Sequence, residues 1–153
     1  MKINKLIFLI IILLLTTTTI IGQSKIHEPD MLTNFVKSVF FEDKSTKFIA
    51  DNFIYFETIN NGAKYTIDDR TKILSKHLKK IRKEKKILLN SEDFYVISYK
   101  DYNGDKVFFT GETDNIFILI SKEKPVLYFY TINHKILSFD YILKGDEGVF
   151  ISY

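Results

Sequence analysis

The sequence predicts an α+β fold in which N-terminal helices pack on a curved, mainly antiparallel sheet. In the first half of the chain, apolar residues recur with helical periodicity over two long stretches. After Asn90 the chain changes to short runs of Phe, Tyr, Ile and Val broken by turn residues, as in an antiparallel meander. With 153 residues and 46% apolar composition, the chain suits one ordinary domain, which we expect over residues 30–153.

Residues 1–22 are predicted to be a signal peptide. Two lysines, Lys2 and Lys5, precede an apolar run over 6–15, and Gly22 supplies the small residue that a signal peptidase requires. The run is shorter than the ~20 residues of a bilayer span, although the threonines and isoleucines that follow extend it. We therefore expect export to the periplasm or the extracellular space, with an uncleaved membrane anchor as the alternative.

Charge and cysteine content narrow the possible functions. Removal of Lys2 and Lys5 would reduce the formal net charge from +3 to +1, so the global charge indicates no particular partner. The chain contains no cysteine. Thiol catalysis, thiolate metal sites and a disulfide framework are therefore excluded.

Three helices are predicted in the first half. After a short lead-in over 23–29, Asp30 is a candidate N-cap for a first helix whose apolar face holds Leu32, Phe35, Val36, Val39 and Phe40. Ser45 can cap a second, shorter helix. A hairpin is expected around Asn60, Asn61 and Gly62. Asp68 and Asp69 then open a long helix whose apolar stripe holds Ile73, Leu74, His77, Leu78 and Ile81.

The second half is predicted to form six strands. Asn103 and Gly104 give the strongest turn signal, because a type I′ turn needs a positive φ at both central residues, and they indicate a hairpin tip. The predicted strands lie near 94–99, 105–110, 115–120, 126–132, 136–143 and 149–152.

The element order of helix, helix, hairpin, long helix and antiparallel strands resembles the nuclear-transport-factor-like and ketosteroid-isomerase-like superfamily. The resemblance covers residues 30–152 and implies a cone-shaped, cystatin-like fold. It also implies two kinds of function, since enzymes of the superfamily place acids and tyrosines inside the cone, while many exported members are binding or accessory domains. No motif in this sequence allows individual functional residues to be carried over.

A basic run with a single acid marks the end of the long helix. It could form a patch for phosphate backbones or anionic lipid. We favour the alternative, a solvated outer face of an amphipathic helix, because Leu78 and Ile81 within the run lie on the core stripe. No nucleic-acid partner is expected. The run consists of Lys76, Lys79, Lys80, Arg82, Lys83, Lys85 and Lys86.

Part of a calcium loop occurs in the sequence. Asp101, Asn103, Asp105 and Glu112 match liganding positions, and hard cations prefer such oxygen donors. Lys106, however, stands where the sharp turn of that loop demands Gly, and strands rather than helices are predicted on both sides. We therefore expect no metal. No cofactor is expected either, because the chain lacks a phosphate-binding glycine loop and a dinucleotide fingerprint.

Asp140 and His77 are the best catalytic candidates. Asp140 lies among alternating apolar residues, which predicts that it faces away from them. If that face lined a cavity, Asp140 could be an acid of raised pKa beside a tyrosine; the alternative is solvent exposure, which we favour. His77 lies on or beside the apolar stripe of the long helix. A histidine at the edge of the core is favoured over a catalytic base, because no positioned neighbour can be identified.

Three functions follow from these observations. The first is a non-catalytic module that binds a protein or a small apolar ligand, marked by exposed aromatic residues at 107–109 and 126–132. The second is a small pocket enzyme of isomerase or dehydratase type that uses Asp140 and a tyrosine. The third is a membrane-anchored accessory protein that keeps residues 6–21.

Overall fold

The computed structural model describes residues 27–56 and 65–152, and these residues form three layers. The helices are α1 (Glu28–Val36), which continues in a π-helical turn (Lys37–Phe41), α2 (Thr46–Phe53), and α3 (Ile67–Lys85), which ends in a 3-10 turn (Lys86–Leu88). The strands are β1 (Phe94–Ser98), β2 (Phe108–Phe109), β3 (Ile116–Ser121), β4 (Lys124–Ile132), β5 (Lys135–Ser138), β6 (Tyr141–Lys144) and β7 (Glu147–Phe150). The predicted α+β class, with helices packed on antiparallel strands, is confirmed.

Two of the predictions fall outside these residues. The signal peptide over 1–22 and the turn at 60–62 lie in parts of the chain that the structure does not describe. Within the described ranges, none of the helices has the length and apolar character needed to cross a bilayer.

The strands divide between two sheets. The main sheet has the order β1-β3-β4-β5 and is antiparallel throughout. The small sheet has the order β2-β7-β6, with β6 antiparallel and β2 parallel to β7. Side chains alternate along β3, so that Leu119 contacts the helices and Ile118 and Ile120 contact the small sheet. The main sheet is therefore the middle layer, buried on both faces.

The core between the helices and the main sheet is built around Phe35. Its ring is fully buried and lies 5.8 Å from the ring of Phe53 on α2, 5.7 Å from Phe129 on β4 and 5.5 Å from Phe139. Helix α3 adds Leu74, Leu78 and Ile81 from its predicted apolar stripe, and all three are buried. This core fixes α1, α2 and α3 against one face of the main sheet.

The core between the two sheets is built around Phe109. Its ring stacks on Phe150 at 4.5 Å and lies 5.4 to 5.9 Å from the rings of Tyr99, Tyr128 and Tyr141. Aromatic pairs at such distances add to the stabilisation that area burial provides. The small sheet is therefore held to the main sheet chiefly by aromatic contacts.

The helix starts differ slightly from the predicted ones. Helix α1 begins at Glu28, with His27 as N-cap and Pro29 in the first turn, so the lead-in ends before the predicted residue 29. Ser45 caps α2 as predicted, accepting a hydrogen bond from the backbone N–H of Phe48. Helix α3 is capped by Thr66, which forms a reciprocal capping box with Asp69. The helix therefore begins at Ile67, and the predicted opening residues Asp68 and Asp69 lie within its first turn.

The predicted hairpin at Asn103 and Gly104 is wrong. Neither residue has a positive φ, and the phenol of Tyr102 covers Gly104. Only Phe108–Phe109 of the predicted strand 105–110 is extended in a sheet, and it pairs with β7 instead of β1. The physical reason is Lys106, which turns inward and donates hydrogen bonds to the carbonyls of Tyr99 and Tyr102.

The predicted strand over 136–143 is also wrong, because it is two strands in different sheets. The chain leaves the main sheet after β5 and enters the small sheet at β6, turning at Phe139 and Asp140. Ser138 holds this corner, since its hydroxyl lies 2.9 Å from the carbonyl oxygen of Asp140 and 2.5 Å from that of Ile151. The corner therefore links the two sheets through a buried hydroxyl.

Candidate functional site

An open groove of about 920 Å³ lies along the small sheet and the first half of β4 in the main sheet. Tyr128 on β4, Tyr141 on β6 and Lys85 of α3 contribute to its lining. The rest of the lining is partly apolar, with Tyr102, Val107, Phe108, Pro125, Val126 and Leu143, and partly charged, with Asp105, Lys106, Glu123, Lys124 and Asp146 beside Lys85. Its volume falls in the range of ~300–1,000 Å³ that is usual for ligand sites.

Two tyrosine hydroxyls fix one wall of the groove at Val107. The hydroxyl oxygen of Tyr128 accepts a hydrogen bond from the backbone N–H of Val107 at 3.0 Å. The hydroxyl of Tyr99 donates to the carbonyl of the same residue, also at 3.0 Å. Lys106 precedes Val107 in the chain, and its ammonium lies 4.2 Å from the centroid of the Tyr99 ring. These contacts hold the segment before β2 in place without regular sheet pairing.

The phenols of Tyr128 and Tyr141 lie in surroundings that disfavour their ionised forms. Burial raises the pKa of Tyr128, while the hydrogen bond from Val107 acts in the opposite direction and neighbouring tyrosines add to the rise. Burial also raises the pKa of Tyr141, and the negative charge of Asp140 adds to that effect. Both hydroxyls therefore stay protonated through the neutral range and can donate hydrogen bonds.

The stability of the protein is expected to fall at alkaline pH because of these two phenols. Their folded-state pKa values exceed the ordinary tyrosine value of 10.0, so the unfolded chain releases these protons first. The folded state then binds more protons, and the free energy of unfolding decreases above about pH 10. Urea unfolding between pH 8 and 11 measures this slope, which Tyr128→Phe should make shallower. An unchanged slope in that variant would contradict the assignment to Tyr128.

The structure brings the two catalytic candidates together. His77 on α3 and Asp140 at the corner between the sheets approach to 3.1 Å, between Nδ1 and Oδ2. The ammonium of Lys80 lies 3.2 Å from the same carboxylate oxygen, and the backbone N–H of Tyr141 donates to the other oxygen at 3.0 Å. The side chain of Asp140 is only 14% exposed, so the predicted solvent exposure is not found. This Asp140 cluster joins α3 to the corner between the two sheets.

Asp140→Ala is expected to lower the free energy of unfolding by about 1–3 kcal/mol, because the buried groups around the carboxylate lose their acceptor. Lys80→Ala is the matched control. The Lys80 side chain is 52% exposed, so its loss is expected to cost at most about 1 kcal/mol. Chemical denaturation of both variants measures the difference. Equal losses would show that the carboxylate has no special role at the corner.

The basic run is divided between structural contacts and solvent. Arg82 donates hydrogen bonds to the carbonyls of Val39 and Lys44, and thereby ties α3 to the end of the π-helical turn. Lys80 belongs to the Asp140 cluster, and Lys85 lines the groove. The other members are exposed on the outer face of α3 and in the 3-10 turn that ends it: Lys76, Lys79, Lys83 and Lys86.

The residues of the partial calcium motif are separated. Asp105 lines the large groove, whereas Glu112 lines a second, smaller hollow of about 260 Å³ beside Phe109 and Phe150. Asp101 and Asn103 are exposed. In the ranges 27–56 and 65–152, no three His, Cys, Asp or Glu side chains come together as metal ligands.

Most of the aromatic residues predicted to be exposed face the interior. Phe109, Tyr128 and Phe129 are buried, Tyr130 is partly buried, and Phe108 is exposed. Sequence reasoning also missed the groove itself, including the exposed Leu143 in its lining. The one available signal was the alternation around Asp140, which placed Tyr141 and Leu143 on a common face.

No protein-family model, curated protein or solved structure matches the chain.

Proposed function

We propose that this chain is an exported, non-catalytic binding module whose groove takes a small apolar ligand. The observation that carries the proposal is the groove of about 920 Å³, whose lining combines the exposed side chains of Phe108 and Leu143 with the phenols of Tyr128 and Tyr141. Exposed apolar side chains that converge on a concave surface are typical of contact sites. The protonated phenols supply hydrogen-bond donors for a polar group of the ligand.

Export and fold family belong to the same proposal. Lys2 and Lys5, the apolar run after them and Gly22 support secretion, and cleavage there would leave the described domain as the mature protein. The element order, in which helices precede antiparallel strands, supports the resemblance to the nuclear-transport-factor-like superfamily. Exported binding domains are common in that superfamily, which agrees with the proposed role.

The fluorescent probe 8-anilinonaphthalene-1-sulfonate tests the groove. Leu143 is 61% exposed and lines the groove, whereas its neighbour Ile142 is 47% exposed and lies outside the lining. Adjacent residues of a strand point to opposite faces, so Leu143→Ser and Ile142→Ser form a matched pair. We expect the probe to fluoresce with the native protein and to bind Leu143→Ser about tenfold more weakly, since a leucine side chain contributes about 1.5 kcal/mol. Ile142→Ser should bind it as the wild type does.

Two results would contradict this proposal. The first is an equal loss of probe affinity in Leu143→Ser and Ile142→Ser, which would indicate unspecific adsorption to β6. The second is an absence of fluorescence with the folded protein. Near-ultraviolet circular dichroism of each variant serves as the control for native packing.

A small pocket enzyme of isomerase or dehydratase type is the second candidate, favoured by the 3.1 Å approach of His77 to Asp140. A base that is oriented by a carboxylate is the usual arrangement for proton transfer. Such a base must be reachable from solvent or from a substrate. The rate at which diethylpyrocarbonate modifies His77, measured by peptide mass spectrometry, tests this requirement, and the exposed His134 is the reference. If His77 is a catalytic base, we expect it to be modified at a rate comparable to that of His134. Strong protection of His77 would exclude the enzyme hypothesis.

A further inference from the structure

A row of lysines forms the outer face of α3 and its end. Lys72, Lys76, Lys79, Lys83 and Lys86 follow one another at spacings of four, three, four and three residues, and all five are exposed. This spacing places them along one side of a helix. The buried residues Leu74, Leu78 and Ile81 occupy the other side. We refer to the five residues as the lysine face.

Apart from Lys72, the lysine face carries charge that no ion pair in the described part of the chain neutralises. Lys72 lies 3.9 Å from Asp69. Among residues 27–56 and 65–152, none of the ion pairs involves Lys76, Lys79 or Lys83. The other cations of the helix end differ in this respect, since Arg82 and Lys80 are held by carbonyls or by Asp140. The face therefore presents a concentrated positive charge on a domain whose net charge is close to zero.

Two apolar residues follow directly at the end of the helix. Ile87 is 80% exposed, more than any other large apolar side chain in the described ranges, and Leu88 is also exposed. They form the 3-10 turn together with Lys86. We refer to Ile87 and Leu88 as the apolar tip. Lysines beside exposed aliphatic side chains are the combination that lies in the headgroup region of membranes.

We propose that the lysine face and the apolar tip dock this domain on a bilayer of anionic phospholipid. The lysines are attracted to the negative surface, and the tip gains from leaving water for the acyl boundary. A nucleic acid would satisfy the lysines alone and would leave Ile87 and Leu88 in water. The apolar sequence over 6–21 provides a second membrane element wherever it stays attached, and two such signals together give stable anchoring.

The docking does not depend on occupation of the groove. Lys85, which lines the groove, lies on the side of α3 that carries Leu74, Leu78 and Ile81, and not on the lysine face.

The absence of cysteine allows a direct test with the full chain. Ile87→Cys creates a single thiol, which is labelled with the environment-sensitive fluorophore NBD. The labelled chain is mixed with vesicles of phosphatidylcholine alone, or of phosphatidylcholine with about 30 mol% phosphatidylglycerol, which carry a negative surface charge. We expect a blue-shifted, stronger emission on the anionic vesicles only, and its loss in about 0.5 M NaCl through screening.

Charge reversal supplies the matched comparison. Lys76→Glu, Lys79→Glu and Lys83→Glu combined should lower the partition coefficient on anionic vesicles about a hundredfold or more. Lys47→Glu, Lys122→Glu and Lys144→Glu combined change the net charge equally but lie on other elements, and should retain at least a tenth of the wild-type value. Lysine-to-glutamine versions of both sets replace any set that fails to fold.

The proposal is overturned by an equal emission change on neutral vesicles, by no change on either kind, or by equal losses in the two charge-reversed sets. It is also overturned if a double-stranded oligonucleotide binds the chain in competition with vesicles and shifts the label in the same way. In that case the lysine face would be a general polyanion site.

Discussion

Replacing Phe35 with alanine is expected to lower the free energy of unfolding by about 3–5 kcal/mol. The ring is fully buried and meets Phe53, Phe129 and Phe139 at centroid distances between 5.5 and 5.8 Å. These partners come from α2, the main sheet and the corner between the sheets, so the cavity cannot close by moving one element. A loss of this size is a large part of the ~5–15 kcal/mol that stabilises a typical domain.

Chemical denaturation monitored by circular dichroism measures this effect. Phe48→Ala is the control, because Phe48 lies on the same helix as Phe53 but is 39% exposed, whereas Phe35 is fully buried. Its loss should be much smaller. A comparable loss for both variants would mean that Phe35 does not centre the core between the helices and the main sheet.

Gly148→Ala is expected to cost about 1–3 kcal/mol through overpacking. A Cβ atom at this position would lie 2.5 Å from Cε1 of Phe109 and 2.7 Å from Cγ1 of Val107. Phe109 cannot yield easily, because its ring is stacked on Phe150 and surrounded by three tyrosines. The wall of the groove at Val107 would therefore have to shift.

A double-mutant cycle with Phe109→Leu isolates the clash. The smaller side chain makes room for the new methyl group, so the double variant should be less destabilised than the sum of the single losses. Gly111→Ala is the control for removing a glycine without a steric clash, because a Cβ atom at that position meets nothing within 4 Å. The φ of +83° at Gly111 is unfavourable for alanine, so this variant measures the backbone cost alone. Strict additivity between Gly148 and Phe109 would contradict the packing described.

The helices could be predicted from the sequence because their signals are local. The apolar stripe of α3 and the cap at Ser45 depend on residues within a few positions of one another. The division of the strands between two sheets could not be predicted, because β2 pairs with β7 across a large separation in sequence. Turn chemistry also misled the prediction. The left-handed turns are formed by Lys122 with Glu123 and by Asn133 with His134, and not by Asn103 with Gly104.

The candidate site was predictable only in part. Asp140 and His77 were each selected by their own surroundings, but their contact depends on how α3 lies against the corner between the sheets. Solvent exposure of Asp140 was the wrong expectation, because the carboxylate is enclosed by His77, Lys80 and the backbone of Tyr141. The aromatic strands could not be assigned to surface or interior, since a second sheet covers the face that a single sheet would leave open.

The most direct test of the binding groove is an NMR titration of isotope-labelled protein with 8-anilinonaphthalene-1-sulfonate, followed at backbone amides and methyl groups. The proposed function predicts that the largest shift changes occur at Val107, Val126 and Leu143, which lie on different segments of the lining. Changes centred on Ile87 and Leu88, or spread evenly over the surface, would contradict it and remove the groove as the binding site.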